Sequence, residues 1–272
     1  MGYPAEASPL FFRDILYNKF KSVFGLFYPR GETMNNPMLN EAAFRRAQEQ
    51  AASGTMTLQG TINKTFLLLF ICVIGGMITW TNYQSWAGAT WLIAIIGFIV
   101  AMITSFKPAA APITAPIYAF LEGLFLGVVS AMYNAQFQGI VFNAVAATVL
   151  VFFTMLFVYR TGIIRVTRGL AVGIFSATAA IAILYLGSFI LSLFGVSTAY
   201  LTSSSPLAIG ISIVICGVAA FNFLLDFHFI DQMTSHYQAP KHMEWYAGFG
   251  LLVTLVWLYI EILQLLAKFQ RK

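Results

Sequence analysis

The sequence predicts an all-α integral membrane protein, a bundle of seven transmembrane helices. Three observations carry this expectation. First, of 272 residues 59% are hydrophobic and 9% charged, with a mean hydropathy of +0.79. A soluble domain carries roughly 25% charged residues, so this chain has too few to cover a water-facing surface. Second, seven apolar runs follow one another, each near the ~20 residues that span a hydrocarbon core. Third, none alternates as a barrel strand would, and in lipid only helices then satisfy the backbone internally.

The elements follow in order. Residues 1–60 form a polar cytoplasmic arm, and 61–272 the membrane domain. Within the arm, "LFFRDILYNKFKSVFGLF" (10–27) puts Phe12, Ile15, Leu16, Phe20, Val23, Phe24 and Phe27 on one helical face. Arg13, Asp14, Lys19 and Lys21 lie mostly opposite, which suits a helix lying on a membrane surface. The other reading gives residues 1–33 little function, with a second translation start at Met34. The first long apolar run begins after Lys64, too late for a cleaved leader. The seven runs are 64–82, 87–106, 113–133, 139–159, 169–194, 206–230 and 244–267. Trp80, Trp86 and Trp91 near the first turn, and Trp245 with Tyr246 at the last run, read as interface anchors. Pro108 and Pro112 suit the second turn, and Pro116 the first turn of the third helix. Small residues such as Gly75, Gly76, Gly123 and Gly127 let helices approach closely, and "GLFLG", from Gly123 to Gly127, matches the GxxxG pattern. That pattern is common in membrane helices. No internal repeat of the transporter kind is visible.

Charge sets the orientation. Lys107 lies in the second turn, Arg160, Arg165 and Arg168 in the fourth, and Lys241 in the sixth. The first, third and fifth turns, "TNYQSW", "NAQFQG" and "GVSTAYLTSSSP", carry none. Lys and Arg stay on the cytoplasmic side, so the N-terminus and even turns are expected inside a cell (inner) membrane. Seven spans leave the C-terminus outside, yet the tail "AKFQRK" holds Lys268, Arg271 and Lys272. Six spans plus a re-entrant C-terminal segment is the alternative that removes this conflict. The net charge of +5 thus orients helices and meets anionic lipid, and no nucleic-acid partner is expected. Cys72 and Cys216 sit in apolar runs and read as small buried side chains, with no disulfide framework.

Three carboxylates fall well within the runs: Glu122 ("YAFLEGLFLG"), Asp226 ("FLLDFHFI") and Glu261 ("WLYIEILQLL"). An acid at a helix centre costs about 2.5–3.5 kcal/mol on insertion scales, so it faces protein or water and marks an ion or proton path. From the orientation, Asp226 lies near the inner end of the sixth helix. Glu122 lies ~14 Å into the third helix and Glu261 ~22–27 Å along the seventh. Staged inner, middle and outer, they form a ladder for protons or cations. The plain reading is three separate structural acids. Lys107, Arg160 and Arg165 are candidate gate partners for Asp226, released when it is protonated. The sixth turn gathers His228, His236 and His242 with Asp231 and Glu244. Their spacing matches no zinc motif; a pH-responsive turn or an ordinary polar one remain.

With these residues in hand, the sequence resembles the Bax inhibitor-1 and YccA-like membrane family. The resemblance rests on "IYAFLEGLFLG", "YRTGIIRVTRG", "FNFLLDFHFID" and "MEWYAGFGLLVTLVWLYIEILQLLAKF", covering about 60 to 268. The last motif looks like a bacterial branch. The resemblance implies a bundle around a central last helix and a calcium-permeable, pH-sensitive leak. It further implies an acid pair in the sixth and last helices acting as the pH-responsive latch. Asp226 matches the first position and Glu261, a Glu for the usual Asp, the second. The interval between them is longer than in relatives, and the depth estimate sets them on different levels.

Two functions are therefore expected to compete. One is a pH-sensitive cation leak, calcium being the permeating ion, with Asp226 and Glu261 as weak calcium candidates and no cofactor. The other is a non-enzymatic interaction protein that modulates a membrane protease or quality-control partner. An intramembrane enzyme is not expected. A serine protease would need "TSSSP" in an outer turn to meet histidines in an inner one. A retinal protein needs a lysine in the last helix, and 244–267 contain none. The oligomeric state is not legible.

Overall fold

A computed structural model describes residues 54–195, 201 and 203–271. The expected arm, with its surface helix over 10–27 and Met34, lies outside them except for 54–60. Among the described residues there are no strands, and seven helices are long and apolar enough to cross a membrane.

Helix α1 spans Leu58–Trp80, opened by Thr57, whose hydroxyl accepts from the Gly60 N–H. After short helical turns at Tyr83–Trp86 and Ala87–Ala89, α2 spans Thr90–Phe106. Helix α3 spans Ala111–Gln136, led in by a 3-10 turn over Pro108–Ala110. That lead-in starts α3 two residues earlier than the apolar run suggested. Pro112 thus occupies the first turn, and Pro116 lies inside the helix rather than at its start. Helix α4 spans Ile140–Thr161 between Gly139 and Gly162, both left-handed. Helix α5 spans Arg168–Leu193 with Thr167 as cap, and α6 spans Pro206–Ser235 with Ser205 as cap and Pro206 in the first turn. Helix α7 runs unbroken over Met243–Gln270. Its 28 residues reach about 42 Å, enough for a full crossing with no re-entrant hairpin.

The last helix is the centre of the bundle. It packs against α1, α3, α4 and α6. Half of its most apolar window is buried, against 11% for α5. Two clusters form the core around it. Leu68, Cys72, Tyr118, Phe249 and Leu252 join α1, α3 and α7. Phe223, Phe227, Leu258 and Leu263 join α6 and α7. Phe152 of α4 meets Phe223 and Phe227 edge-on at 5.3 and 5.6 Å, which explains the aromatic residues flanking Asp226. Large apolar side chains such as Phe142 and Trp91 face outward at 77% and 71% exposure. On a soluble monomer such a surface would aggregate; against lipid it needs no cover.

The Gly123–Gly127 stripe is a true close crossing. A Cβ on Gly123 would overlap the Cys72 carbonyl of α1, and one on Gly127 would overlap Gly76 and Thr79. The Thr79 hydroxyl uses that proximity to bond Leu124 O at 2.9 Å.

The ends of the bundle sort cleanly. Thr55 bridges Pro240, placing the start of α1 beside the α6–α7 turn. At the opposite end Arg271 reaches Gln136 Oε1 at 3.5 Å and lies over the Phe137 ring. The last bases are therefore not a free tail. Arg271 anchors to the end of α3, and Lys268 is a buried residue of α7, at 5% exposure. This corrects the reading of 244–267 as a last helix without lysine: the helix continues to Gln270.

Candidate functional site

Helices α6 and α7 are antiparallel neighbours, and two hydrogen bonds fix their register. Thr254 Oγ1 donates to Asp226 Oδ2 at 2.7 Å. Lys268 Nζ donates to Ser212 Oγ at 2.6 Å and reaches Ala208 O at 3.4 Å. From 212 to 226, and from 254 to 268, is fourteen residues in each case. At 1.5 Å per residue the two bonds stand about 21 Å apart, most of a ~30 Å hydrocarbon core.

Glu261 lies between these ends. It is 2% exposed. Its Oε1 accepts from Tyr185 OH of α5 at 2.7 Å and from Trp257 Nε1, one turn back, at 3.0 Å. Its Oε2 is buried with no hydrogen-bond partner among the described residues. Thr254, Trp257, Glu261 and Lys268 follow intervals of three, four and seven, which place them on one stripe of α7. Opposite stand Ser212, half-buried Cys216, Asn222 and Asp226 of α6. Asn222 ties in α5 by donating to Thr178 Oγ1 at 2.9 Å. The result is a polar seam between α5, α6 and α7, in helices otherwise apolar.

The seam relocates several expectations. Asp226 and Glu261 do not bond each other, so the latch pair implied by the resemblance is not formed. Helix α7 begins at Met243, which sets Thr254 opposite Asp226 and Glu261 two turns farther on, about 10 Å away along the axis. Glu122 occupies a different niche. It lies beside Tyr118 on its own helix, within reach of Cys72 of α1, and faces Gly97 of α2. The three acids thus sit in three places, with no hydrogen bond between any two. Nor does Asp226 pair with a base: it forms no ion pair among the described residues. Lys107 is exposed at the end of α2. Arg160 and Arg165 line an open cleft of about 530 Å³ with Tyr159, His228 and Asp231. In that cleft Asp231, 3.5 Å from Tyr159 OH, is the acid among the lining residues.

The sixth turn is a tie. Glu244 is 1% exposed. It accepts from Thr57 N at 3.0 Å, Thr57 Oγ1 at 2.9 Å and Lys241 Nζ at 2.7 Å. Backbone bonds Met56 N to Ala239 O and Lys241 N to Gly54 O run alongside. A Cβ on Gly60 would overlap the Glu244 carboxylate. Glu244 therefore fastens the start of α1 to the α6–α7 turn. No group of three or more His, Cys, Asp or Glu able to hold a metal occurs among the described residues.

Sequence reasoning missed Tyr185, Thr178, Asn222, Ser212 and Lys268. Polar residues in apolar helices are the signal that finds them. Only the helix register tells that they meet.

The family described as Bax inhibitor 1 like matches the chain over residues 36–271. No curated protein and no solved structure matches it.

Proposed function

The chain belongs to the Bax inhibitor 1 like family, and on that premise we propose that it is a pH-sensitive cation leak, with calcium as the permeating ion. The α5–α6–α7 seam is its path, and Asp226 and Glu261 are its titrating groups. The observation that carries this reading is the seam itself: ionisable and hydroxyl groups spaced over about 21 Å of one interface. Intramembrane acids placed so are functional by default. One wall of the seam, α5, is the least buried helix. It is held to the others there by the Asn222–Thr178 and Tyr185–Glu261 bonds. A wall with few buried contacts is the element that yields first.

Protonation has a direct handle on this seam. The Thr254 hydroxyl donates to Asp226 Oδ2. A proton on Oδ2 makes that oxygen a donor and a poorer acceptor, which weakens or reverses the bond. The membrane is a cell (inner) membrane with the N-terminus and even-numbered turns cytoplasmic. The shared end of Thr55, Pro240 and Arg160 agrees with that orientation. The test is calcium flux into liposomes on both sides of neutral pH, with Asp226→Asn and Glu261→Gln beside the wild type. Wild-type flux that ignores pH, or variants that follow the wild type, would refute it.

A second reading, a non-enzymatic interaction protein acting on a membrane protease or quality-control partner, draws support from the Glu244 tie. That tie fastens Thr57, at the start of α1, to the start of the central helix. Deleting residues 1–53, which spares Thr57 and its cap, should abolish partner capture and leave flux intact. Capture that survives the deletion refutes this reading.

A further inference from the structure

The turn between α4 and α5 gathers bases at one end of the bundle. Helix α7 runs from the Pro240 end to the Gln136 end, and α4 starts just after Phe137, which Arg271 covers. Helix α4 therefore finishes at the Pro240 end. There Gly162, left-handed at a φ of 69°, stops the helix and folds the chain back. Arg165 thereby lines the same cleft of about 530 Å³ as Arg160, and α6 adds His228 and Asp231. Both arginines are exposed. Neither side chain forms a hydrogen bond or an ion pair within 4.0 Å among the described residues, although Asp231 lines the cleft with them. Two guanidiniums against one carboxylate leave the lining net positive. A guanidinium is a planar fork that takes phosphate oxygens two at a time, so this is the chemistry of a phosphate site.

A stripe of α4 leads to this cleft from within the membrane. Leu150, Phe153, Phe157 and Arg160 follow intervals of three, four and three, which set them on one helical face. All four are exposed. From 150 to 160 the stripe rises about 15 Å, half of a ~30 Å hydrocarbon core and so the depth of one leaflet. A free phosphate has no use for that apolar track, whereas a phospholipid fills it. We propose that the cleft is a headgroup site for an anionic phospholipid, with the phosphate between Arg160 and Arg165 and an acyl chain along Leu150, Phe153 and Phe157. A zwitterionic headgroup is neutral and leaves the net charge of the lining unanswered. Asp231 repels the phosphate and holds the site below the affinity that the two arginines alone would give. This inference goes beyond the leak reading and does not depend on it.

The experiment is native mass spectrometry of the full-length protein in neutral detergent, titrated with dioleoylphosphatidylglycerol, which gives a dissociation constant for each lipid retained. The first phosphatidylglycerol should bind about fivefold more tightly than phosphatidylcholine or phosphatidylethanolamine, as one net charge at the membrane surface implies. Arg160→Gln and Arg165→Gln should each weaken it by about the same factor. Lys107→Gln removes a base exposed at the end of α2 on the same face, and should change nothing. Asp231→Asn should tighten binding, again roughly fivefold. The arginines are exposed and unbonded, so their variants should melt with the wild type in detergent alone. Added phosphatidylglycerol should then raise the Tm of the wild type above that of the double variant. Glycerol phosphate, which carries the phosphate without the chains, should fail to displace the lipid at equal concentration. Equal binding of the three lipids, equal losses in the Lys107 and arginine variants, an Asp231→Asn protein that binds no more tightly, or displacement by glycerol phosphate would each overturn the proposal.

Discussion

Replacing Glu244 with alanine tests the best-defined polar contact outside the seam. The carboxylate takes two bonds from Thr57 and one from Lys241. Hydrogen bonds to a charged group contribute about 1.5–3 kcal/mol each. The Lys241 contact is discounted, because that side chain is 47% exposed and water replaces it. Thr57 is itself exposed, so the lower figure applies to each of its bonds, and Glu244→Ala should cost about 3 kcal/mol. For a chain of this size that is a fall in Tm of roughly 6–12 °C, readable by thermal unfolding in detergent. The sharper measurement is a cycle with Gly60→Ala. With Glu244 present, the new methyl collides with the carboxylate. With Glu244 gone, it enters vacated space. The cost of Gly60→Ala should therefore shrink by more than about 1 kcal/mol in the Glu244→Ala background, well outside ordinary additivity. Equal costs in both backgrounds, or a Glu244→Ala protein that melts with the wild type, would refute the tie.

Three further outcomes follow from the same geometry. Thr254→Val removes the hydroxyl that meets Asp226 at 2.7 Å; it should flatten the pH profile of calcium flux, and adding it to Asp226→Asn should change nothing more. Gly123→Ala drives a methyl into the Cys72 carbonyl and should cost about 1–3 kcal/mol in thermal unfolding, since backbone yields little. Tyr259→Phe and Ser130→Ala break one buried bond of 2.7 Å between α7 and α3; each should cost about 1 kcal/mol, and the double variant no more than the larger single loss.

What the sequence disclosed and what it hid divide along a physical line. The seven spans were legible because lipid imposes a continuous apolar run on every helix that crosses it. Their ends were less so. Helix α6 runs on to Ser235 through "DQMTS", since a helix leaving the hydrocarbon keeps its backbone bonds while its side chains turn polar. The same effect hid Lys268. A lysine near the end of a last span reads as an interfacial charge, and only Ser212, 56 residues away, turns it into a buried one. Asp226 and Glu261 stood out as acids in apolar surroundings, but their partners did not. Thr254 and Tyr185 are separated from them by 28 and 76 residues, and nothing in a chain's order gives the register of two packed helices. The bases fell between these cases: Arg160 and Arg165 were expected beside Asp226, yet α6 presents to them His228 and, more than one turn farther on than Asp226, Asp231.

On the leak reading, the two register bonds also constrain how Asp226 can act as a gate. Sliding α7 along α6 would break Thr254–Asp226 and Lys268–Ser212 together, and would shear the packing of Phe223, Leu258 and Leu263 in one core. Packed cores are bistable rather than continuously deformable, so such a slide is the costly route. Breaking only the Asp226 end leaves α7 fastened at Ser212, and fastened again at its start by Glu244 to Thr57. A helix held at both ends does not swing, so the movable wall is the remaining one. Helix α5 is joined to the seam by Asn222 and Glu261, and otherwise faces outward along most of its length. On the leak reading, protonation therefore works by loosening the polar contacts that α5 shares with a fixed α6–α7 pair. A disulfide joining α5 to α6 should then silence the leak, whereas one joining α6 to α7 should leave it running.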